Sequence, residues 1–386
     1  MAQRRARVLH VIGTLDPGGT ETWLLNTLKH IDRDLLEFHF CTFGPQPGLF
    51  AGEVERFGGR ILPCPRGQNP WSFGRRFRKI LREGKYDAVH SHVTLFSGAV
   101  LRWAYAERVT MRIAHSHATR DDKPSTQARR YYRRTMKSWI DRYATHGLAV
   151  SKSAAANLFG QNWESDGRFR VLHCGIDLQP FQVPVARDQV RTDLGLPIGV
   201  PVFGHVGRFH LQKNHPFLLE VFGEIQKRIP HAHFLLVGDG PLRGQIEARS
   251  KAMGLSSKMH FVGIRTDVPR LMRGGMDVFI FPSIFEGLPI AVLEAQAAGL
   301  CCLISSSISR EVAAGPEVVA FMDLSATPRD WAEQSVQLLE RERVAECIAL
   351  QTIAGSPFSV QHCIKNLARI YKLEERQYSS EEALTI

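Results

Sequence analysis

The sequence predicts an α/β protein built from two Rossmann-like units, each a parallel sheet with helices on both faces. Three observations carry this expectation. The chain has 386 residues, more than one ordinary domain and suited to two of about 180 each. Short continuous apolar runs, such as Val278-Phe279-Ile280-Phe281, read as parallel strands covered on both faces. These runs alternate with helical stretches, and the alternation implies a parallel sheet flanked by helices. The expected division is an N-terminal domain over residues 1–180, a second over 181–355, and a terminal helix with a loose tail over 356–386.

In the first half, residues 7–12 (RVLHVI) form the first strand. Asp16-Pro17-Gly18-Gly19-Thr20 is its loop, and a helix is expected from Glu21. The pair Gly18 and Gly19 lets backbone approach a ligand closely. Further strands are expected at 38–43 and 61–64. Residues 71–84 interleave Arg75, Arg76, Arg78, Lys79 and Arg82 with Phe73, Phe77, Ile80 and Leu81. That is a basic amphipathic helix, compatible with a membrane surface or with a core-packing helix bearing a solvated face. Strands at 86–91 and 111–115 each end in an HxH pair, His90/His92 and His115/His117. Period-2 spacing puts both members of a pair on one face. Imidazole is a common metal ligand, but no Cys or carboxylate ligand pattern accompanies them, so one of these histidines serving a ligand cleft is the favoured reading. Residues 127–143 mix six cations with Tyr131, Tyr132, Met136, Trp139 and Ile140, a composition that suits a phosphate-bearing lipid or nucleic acid. A strand at 147–151 and the run Arg170 to Asp177 lead to the domain junction.

The second half starts near Phe181. Strands are expected at 201–206, 233–237, 259–262 and 278–281, and helices at 217–228, 242–253, 331–347 and 360–371. Arg208 and Lys213 leave the first of these strands five residues apart. Two cations at a strand end suit a diphosphate. Gly238-x-Gly240 lacks the rest of a dinucleotide fingerprint, and no P-loop pattern occurs.

The chemistry centres on residues 277–302, DVFIFPSIFEGLPIAVLEAQAAGLCC. The strand ends at Pro282-Ser283. Glu286-Gly287-Leu288-Pro289 is a compact turn, with Pro289 suited to a first helical position. The helix runs over 290–298, and Gly299 stops it. A helix N-terminus fed by such a loop offers free N–H groups to an anion. Glu294 lies five residues past Pro289, about 7–8 Å along the axis. A carboxylate at each end, each able to accept from vicinal hydroxyls, suits a nucleotide sugar: Glu286 near the sugar, Glu294 near the ribose, and backbone N–H groups on phosphate between them. Glu294 also sits in an otherwise apolar helix, where an unpaired carboxylate is costly.

Glu286-x7-Glu294 within FPS-x2-EGLP-x4-EA resembles the EX7E signature of the retaining glycosyltransferases of family 4, which have the GT-B fold. The resemblance covers nearly the whole chain through GGTE (Gly18 to Glu21), GID (Gly175 to Asp177), GRFHLQKN (Gly207 to Asn214), VGDGP (Val237 to Pro241) and FVGIRTDV (Phe261 to Val268). GHVGRF, QKNH and EAQAAGL are similar to the EpsF-like exopolysaccharide glycosyltransferases. The resemblance implies two Rossmann-like domains facing a central cleft, with the terminal helix crossing back to the first domain. It implies a donor, UDP-linked by analogy, held by Gly18, Gly19, Gly238, Gly263, Ile264, Gly287, Leu288, Pro289 and Glu294. It implies Glu286, Arg208, Lys213 and His117 in the catalytic set, His117 matching the family's sugar-side histidine better than His115. No cofactor or metal is called for, because protein cations stand where a metal would. Cys174 departs from the Asn usual in the family at that position.

Composition bounds the rest. Apolar content of 44% supplies two cores. Seven cysteines without a CxxC fit a reducing cytoplasm. The N-terminus does not read as a signal peptide, and no apolar run is long enough to span a bilayer. Residues 1–180 hold 28 Lys and Arg against 16 Asp and Glu, while residues 181–386 hold 21 against 22. The whole excess of positive charge therefore lies in the first half, which suits a phosphate-bearing acceptor or an acidic leaflet. The expectation is a glycosyltransferase passing a sugar to a glycan or lipid-linked saccharide, cytoplasmic and peripheral on the inner face of the plasma membrane. Its rivals are a GT-B nucleotide-sugar epimerase, a noncatalytic sensor, and a basic nucleic-acid-binding module. The last lacks every helix-turn-helix, zinc or RNA-binding signature.

Overall fold

The computed structural model describes residues 4–65, 70–120, 124–315 and 318–371. The expected loose tail, 379–386, lies outside them. Contacts divide the chain into two compact units. One runs to Gly175 and includes the helix Val360–Ile370; the other is Ile176–Ser359.

The first unit holds a seven-stranded sheet of β1 (Ala6–Ile12), β2 (Leu36–Thr42), β3 (Arg60–Pro63), β4 (Ala88–Ser91), β5 (Met111–Ser116), β6 (His146–Ala149) and β7 (Phe169–Val171). The order is β3-β2-β1-β4-β5-β6-β7, and every pairing is parallel. The second unit repeats the pattern with β8 (Val202–Val206), β9 (His233–Val237), β10 (Met259–Phe261), β11 (Val278–Phe281), β12 (Cys301–Ser305) and β13 (Val319–Met322), in the order β10-β9-β8-β11-β12-β13. Both sheets are wound outward in two directions from their first strand. The reversal lies between β1 and β4 in one unit and between β8 and β11 in the other. Ligands of such sheets bind beyond the strand ends at that reversal.

The strands are buried on both faces, which is why they read as apolar runs. Leu9, Val11, Val89 and Ala114 share one core with Phe73, Phe77 and Leu81. Phe203, Phe234, Val278, Ile280 and Leu303 share another with Leu218, Phe222, Ile246 and Trp331. Helix starts are set by side-chain caps where the sequence supplies them. Ser151 accepts from Ala154 N ahead of Lys152–Phe159. Thr327 and Asp330 form a reciprocal capping box ahead of Pro328–Leu339.

The structure corrects several expectations. The basic helix Pro70–Gly84 spends its apolar face on the core, with Phe73, Phe77 and Leu81 buried; that face is not free to enter a membrane. Arg78 and Arg82 both pair with Glu107. The helix expected over 331–347 is two helices, Pro328–Leu339 and Glu346–Ala354. Between them Arg343 bonds the carbonyls of Ala298 and Arg273, tying the connection to neighbouring elements. The first helix starts at Gly19 rather than Glu21. Pro289 is the residue that precedes its helix, Ile290–Ala297, rather than the first one in it. Helices at Ser97–Ala106, Arg187–Asp193 and Val268–Gly275 were not anticipated.

Candidate active site

In the second unit, four loops leave the C-terminal ends of β8, β9, β10 and β11, and close backbone approach locks three of them together. Gly207 N donates to Val237 O, and Gly238 N donates to Gly263 O. Phe209 N donates to Asp239 O. Gly238 has φ +132°, and a Cβ there would meet Gly207 O at 2.2 Å. Only glycine meets both demands, the left-handed backbone and the contact. Gly240, at φ +159°, faces Phe209 O in the same way.

The loop after β8 is also clamped to the loop after β11. Gln212 does this twice: its carbonyl accepts from Ile284 N at 2.8 Å, and its side-chain amide donates to Phe285 O at 2.9 Å. The residue that follows is Lys213. Its Nζ donates to Glu286 Oε1 at 2.6 Å and lies 4.6 Å above the Phe281 ring. Its stem lies over Gly207, where a Cβ would stand 3.2 Å from Lys213 Cε. Both partners are largely enclosed, with side-chain exposures of 17% and 9%. An ammonium has three donors, so one committed to Glu286 leaves others for an anion. The pair stands at the reversal point of this sheet.

Just beyond, the amides of Gly287 and Leu288 and those of Ile290 and Ala291 at the helix start have no acceptor among the described residues. Such orphan N–H groups form an anion site. Glu294 lies one turn further on and keeps partial solvent exposure. Its carboxyl has no hydrogen bond or ion pair among the described residues, and burial pushes it up to about 7. Ser283 Oγ is buried without a partner at the end of β11. Beneath Lys213, His205 is held well below its ordinary value by burial and by His215, and burial holds His215 at about 4. Both rings therefore stay neutral beside the ammonium. Arg208 is exposed and engages no described carboxylate. Gly263 is in the left-handed region at φ +70°, and Ile264 is an exposed apolar side chain.

In the first unit Gly18 caps the helix Gly19–His30, and Glu21 folds back so closely that a Cβ on Gly18 would meet its Oε2 at 2.4 Å. The two HxH pairs come together, joined by His10 of β1, which the sequence reading passed over. Parallel register sets His10 beside His90. His10 Nδ1 meets His92 Nε2 at 3.0 Å, and His92 Nδ1 meets His117 Nε2 at 2.9 Å. His90 Nε2 meets His115 Nδ1 at 3.1 Å, while His90 Nδ1 meets the Tyr371 hydroxyl at 2.7 Å. Burial holds His10 and His117 down at about 3. His115 is wholly buried and His117 partly exposed.

Beyond this cluster, a cavity of about 250 Å³ is lined by Arg120, Arg129, Arg133, Lys137, Asn157 and Thr94, among others. Among the described residues, no carboxylate lines it. Lys137 is held below its ordinary value by burial and by Arg133.

Comparison with known proteins gives this arrangement a family. Residues 17–180 match the model for Glycosyltransferase Family 4, and residues 200–341 match that for Glycosyl transferases group 1. EpsF of Bacillus subtilis (strain 168), which carries a glycosyltransferase name, is 33% identical over 377 residues, covering 97% of this chain and 98% of EpsF. The chain belongs to the group 1/family 4 glycosyltransferases. A second relative in this family is the UDP-Gal:alpha-D-GlcNAc-diphosphoundecaprenol alpha-1,3-galactosyltransferase of Escherichia coli, 28% identical over 59% of this chain and 60% of that enzyme. The crystal structure of Anabaena HepE with UDP and glucose superposes with a TM-score of 0.77 at 19% identity, covering 95% of this chain and 99% of HepE. The architecture of the family 4 chain is GT-B, as its two doubly wound parallel sheets indicate.

Proposed function

We propose that this chain is a retaining, metal-independent hexosyltransferase. It moves a sugar from a UDP-sugar to a glycan or lipid-linked saccharide in exopolysaccharide or cell-envelope polysaccharide synthesis. The observation that carries the reading is the enclosed Lys213–Glu286 pair, fixed by Gln212 at the sheet reversal and adjoining a helix start with free amides. Lys213, Arg208 and the amides of Gly287 and Leu288 stabilise the charge that builds on the departing diphosphate. Glu286 positions the sugar, and Glu294 accepts from the ribose hydroxyls. Gly238 and Gly263 keep the loops low enough for the nucleotide, and Ile264 meets the base. Front-face attack is preferred to double displacement, which needs a second carboxyl about 5–5.5 Å from the first as nucleophile. Attack therefore comes from the face the diphosphate leaves, and its oxygen takes the acceptor's proton. In the first unit, Gly18, Gly19 and His117 serve the donor sugar, as the family resemblance implies.

The cation-lined cavity of the first unit suits a phosphate-bearing acceptor, a class to which the named acceptor of the Escherichia coli relative belongs. The excess of positive charge in the same half supports attachment to an anionic leaflet. No helix among the described residues is long and apolar enough to cross a membrane.

The test is a thermal-shift panel of nucleoside diphosphates and their sugars, followed by product analysis with a lipid-diphosphate saccharide. The expected result is stabilisation by UDP and one UDP-sugar, and a product that keeps the donor's anomeric configuration. An epimer formed without acceptor, or no stabilisation by any sugar nucleotide, overturns the proposal.

A further inference from the structure

Three of the imidazoles in the first unit bring ring nitrogens close together. His92, His115 and His117 each offer a ring nitrogen within 4.8 Å of the other two. We infer that His92, His115 and His117 form a binding site for a divalent transition-metal ion of the zinc class, through His92 Nδ1, His115 Nε2 and His117 Nε2; an ion there takes His117 from its proposed place at the donor sugar, so it acts as an inhibitor and not as a cofactor of the metal-independent transfer. His10 and His90 act as positioning residues.

The argument starts from which nitrogens are already used. His92 turns its Nε2 to His10 Nδ1, and His115 turns its Nδ1 to His90 Nε2. His90 is held in turn by the Tyr371 hydroxyl. A metal-bound histidine characteristically engages its second ring nitrogen with such a partner, which fixes tautomer and ring orientation. Two of the three ligands have that support before any ion arrives. Their other nitrogens, His92 Nδ1 and His115 Nε2, are the ones left to take the ion. His115 Nε2 is buried without a hydrogen-bond partner, a costly state that coordination removes. His92 Nδ1 and His117 Nε2 stand 2.9 Å apart. Ligands at 2.0–2.1 Å from a tetrahedral ion stand about 3.3–3.4 Å apart, so a rotation of a few tenths of an ångström opens the pair to the ion.

A second trio, His10, His90 and His92, meets the same distance limit. It is the weaker site. His10 and His90 are fully enclosed, and both nitrogens of His90 are occupied by Tyr371 and His115. His117 is partly exposed, which gives the outer trio a route for the ion and an open fourth position. Trp23 walls the site, its ring 5.1 Å from His115 and 5.7 Å from both His92 and His117. An apolar wall of this kind limits solvent access to the ion. All-imidazole donors suit zinc, copper, nickel and cobalt over magnesium or calcium, which need oxygen.

The test uses the full chain without an affinity tag, purified without an immobilised metal and stripped by a chelator. Titration with Co2+ is expected to saturate at one ion per chain with a visible ligand-field band of tetrahedral intensity, which Zn2+ then abolishes. His115→Gln and His117→Gln each weaken Zn2+ binding at least 100-fold; His10→Gln and His90→Gln weaken it about 10- to 100-fold. Because buried substitutions can unfold the unit, ring-nitrogen NMR of the unaltered protein provides the second measurement. Zn2+ is expected to shift the resonances of His92, His115 and His117 among the sixteen histidines. No saturable binding, or ring shifts confined to other histidines, overturns the inference. Loss on His10→Gln with none on His117→Gln overturns it too, by moving the ion to the inner trio. None of these readings depends on sugar transfer.

Discussion

Lys213 and Glu286 are the pair on which the proposed chemistry turns, and each has a structural role that a single substitution confuses with catalysis. Lys213→Ala removes the ammonium from an enclosed carboxylate, which costs up to about 3–5 kcal/mol of stability. It also removes a cation from the diphosphate, and kcat is expected to fall about 100- to 1000-fold. Glu286→Ala is expected to cost similar activity. The double variant separates the two roles. With both charges gone, part of the lost stability returns, while turnover stays at the level of the single variants. Melting curves beside initial rates check this. Single variants within a few-fold of the parent rate would remove the pair from the mechanism.

Glu294 gives a pH signature. Its carboxyl is raised from the ordinary 4.5 to about 7 by burial. The stability of the neutral acid is fully present below 4.5 and is lost as pH rises through about 7, to a limit of about 3 kcal/mol. Glu294→Gln is therefore expected to raise the Tm of the ligand-free protein at pH 8 and to leave it unchanged at pH 4.5. The carboxylate form is the better acceptor for ribose hydroxyls, so UDP affinity is expected to rise with pH through about 7 in the parent and to lose that step in the variant. Calorimetric titration at pH 6 and pH 8 reads it; the same step in both proteins would assign it to the diphosphate itself. The sequence singled out the two Glu positions and both cations through their spacing together with the family resemblance. It did not show Gln212, whose clamp depends on which loops the topology brings side by side, nor His10, a lone imidazole whose partner imidazoles lie 80 and more residues away.

At the scale of elements, the glycines after the strands decide how closely the loops stack. Gly238→Ala places a Cβ 2.2 Å from Gly207 O on a backbone at φ +132°. Relief requires the loop bearing Arg208 and Lys213 to move. The substitution is expected to cost about 1–3 kcal/mol, a Tm loss of several degrees for a unit of this size, together with weaker UDP binding. Gly244 is the control. It lies exposed in the helix Arg243–Ala252, and nothing is within 4 Å of a Cβ there. Gly244→Ala is expected to add about 0.5–1 kcal/mol and to leave UDP binding alone. Equal losses in both variants would show that the strand-end loops tolerate rearrangement. The doubly wound order was legible because parallel strands buried on both faces leave apolar runs that stand out. Ser97–Ala106 was not: its helix is apolar nearly all round and starts without a side-chain cap, so neither periodicity nor boundary marks it. The helix break after Leu339 depends on Arg343 reaching carbonyls some 45 and 70 residues earlier, which no local pattern encodes.

At the scale of the whole molecule, the +12 of residues 1–180 against −1 for the remainder makes any anionic surface discriminate between the two halves. The sequence pointed to two basic helices for such a surface, and burial separates them. Pro70–Gly84 keeps its apolar side in the core. Gln127–Tyr143 buries Met136 and Ile140 but turns Arg130, Tyr131 and Arg134 to solvent, with Tyr131 74% exposed. An exposed aromatic between two cations suits the headgroup region of a bilayer. Each cation near an acidic surface contributes about 1 kcal/mol. Arg130→Ser with Arg134→Ser is thus expected to lower partitioning onto acidic vesicles about 10- to 30-fold. Tyr131→Ser adds to that loss on acidic vesicles. The folded state should not change, because none of the three side chains enters the core. Flotation with vesicles rich in phosphatidylglycerol, against vesicles of phosphatidylcholine alone, reads the difference. Raised salt should abolish binding through the same charges, whose reach shrinks to about 3 Å at 1 M. Equal partitioning onto acidic and neutral vesicles would detach the charge asymmetry from membranes and leave the cation-lined cavity between Thr94 and Leu158 as the place where it acts.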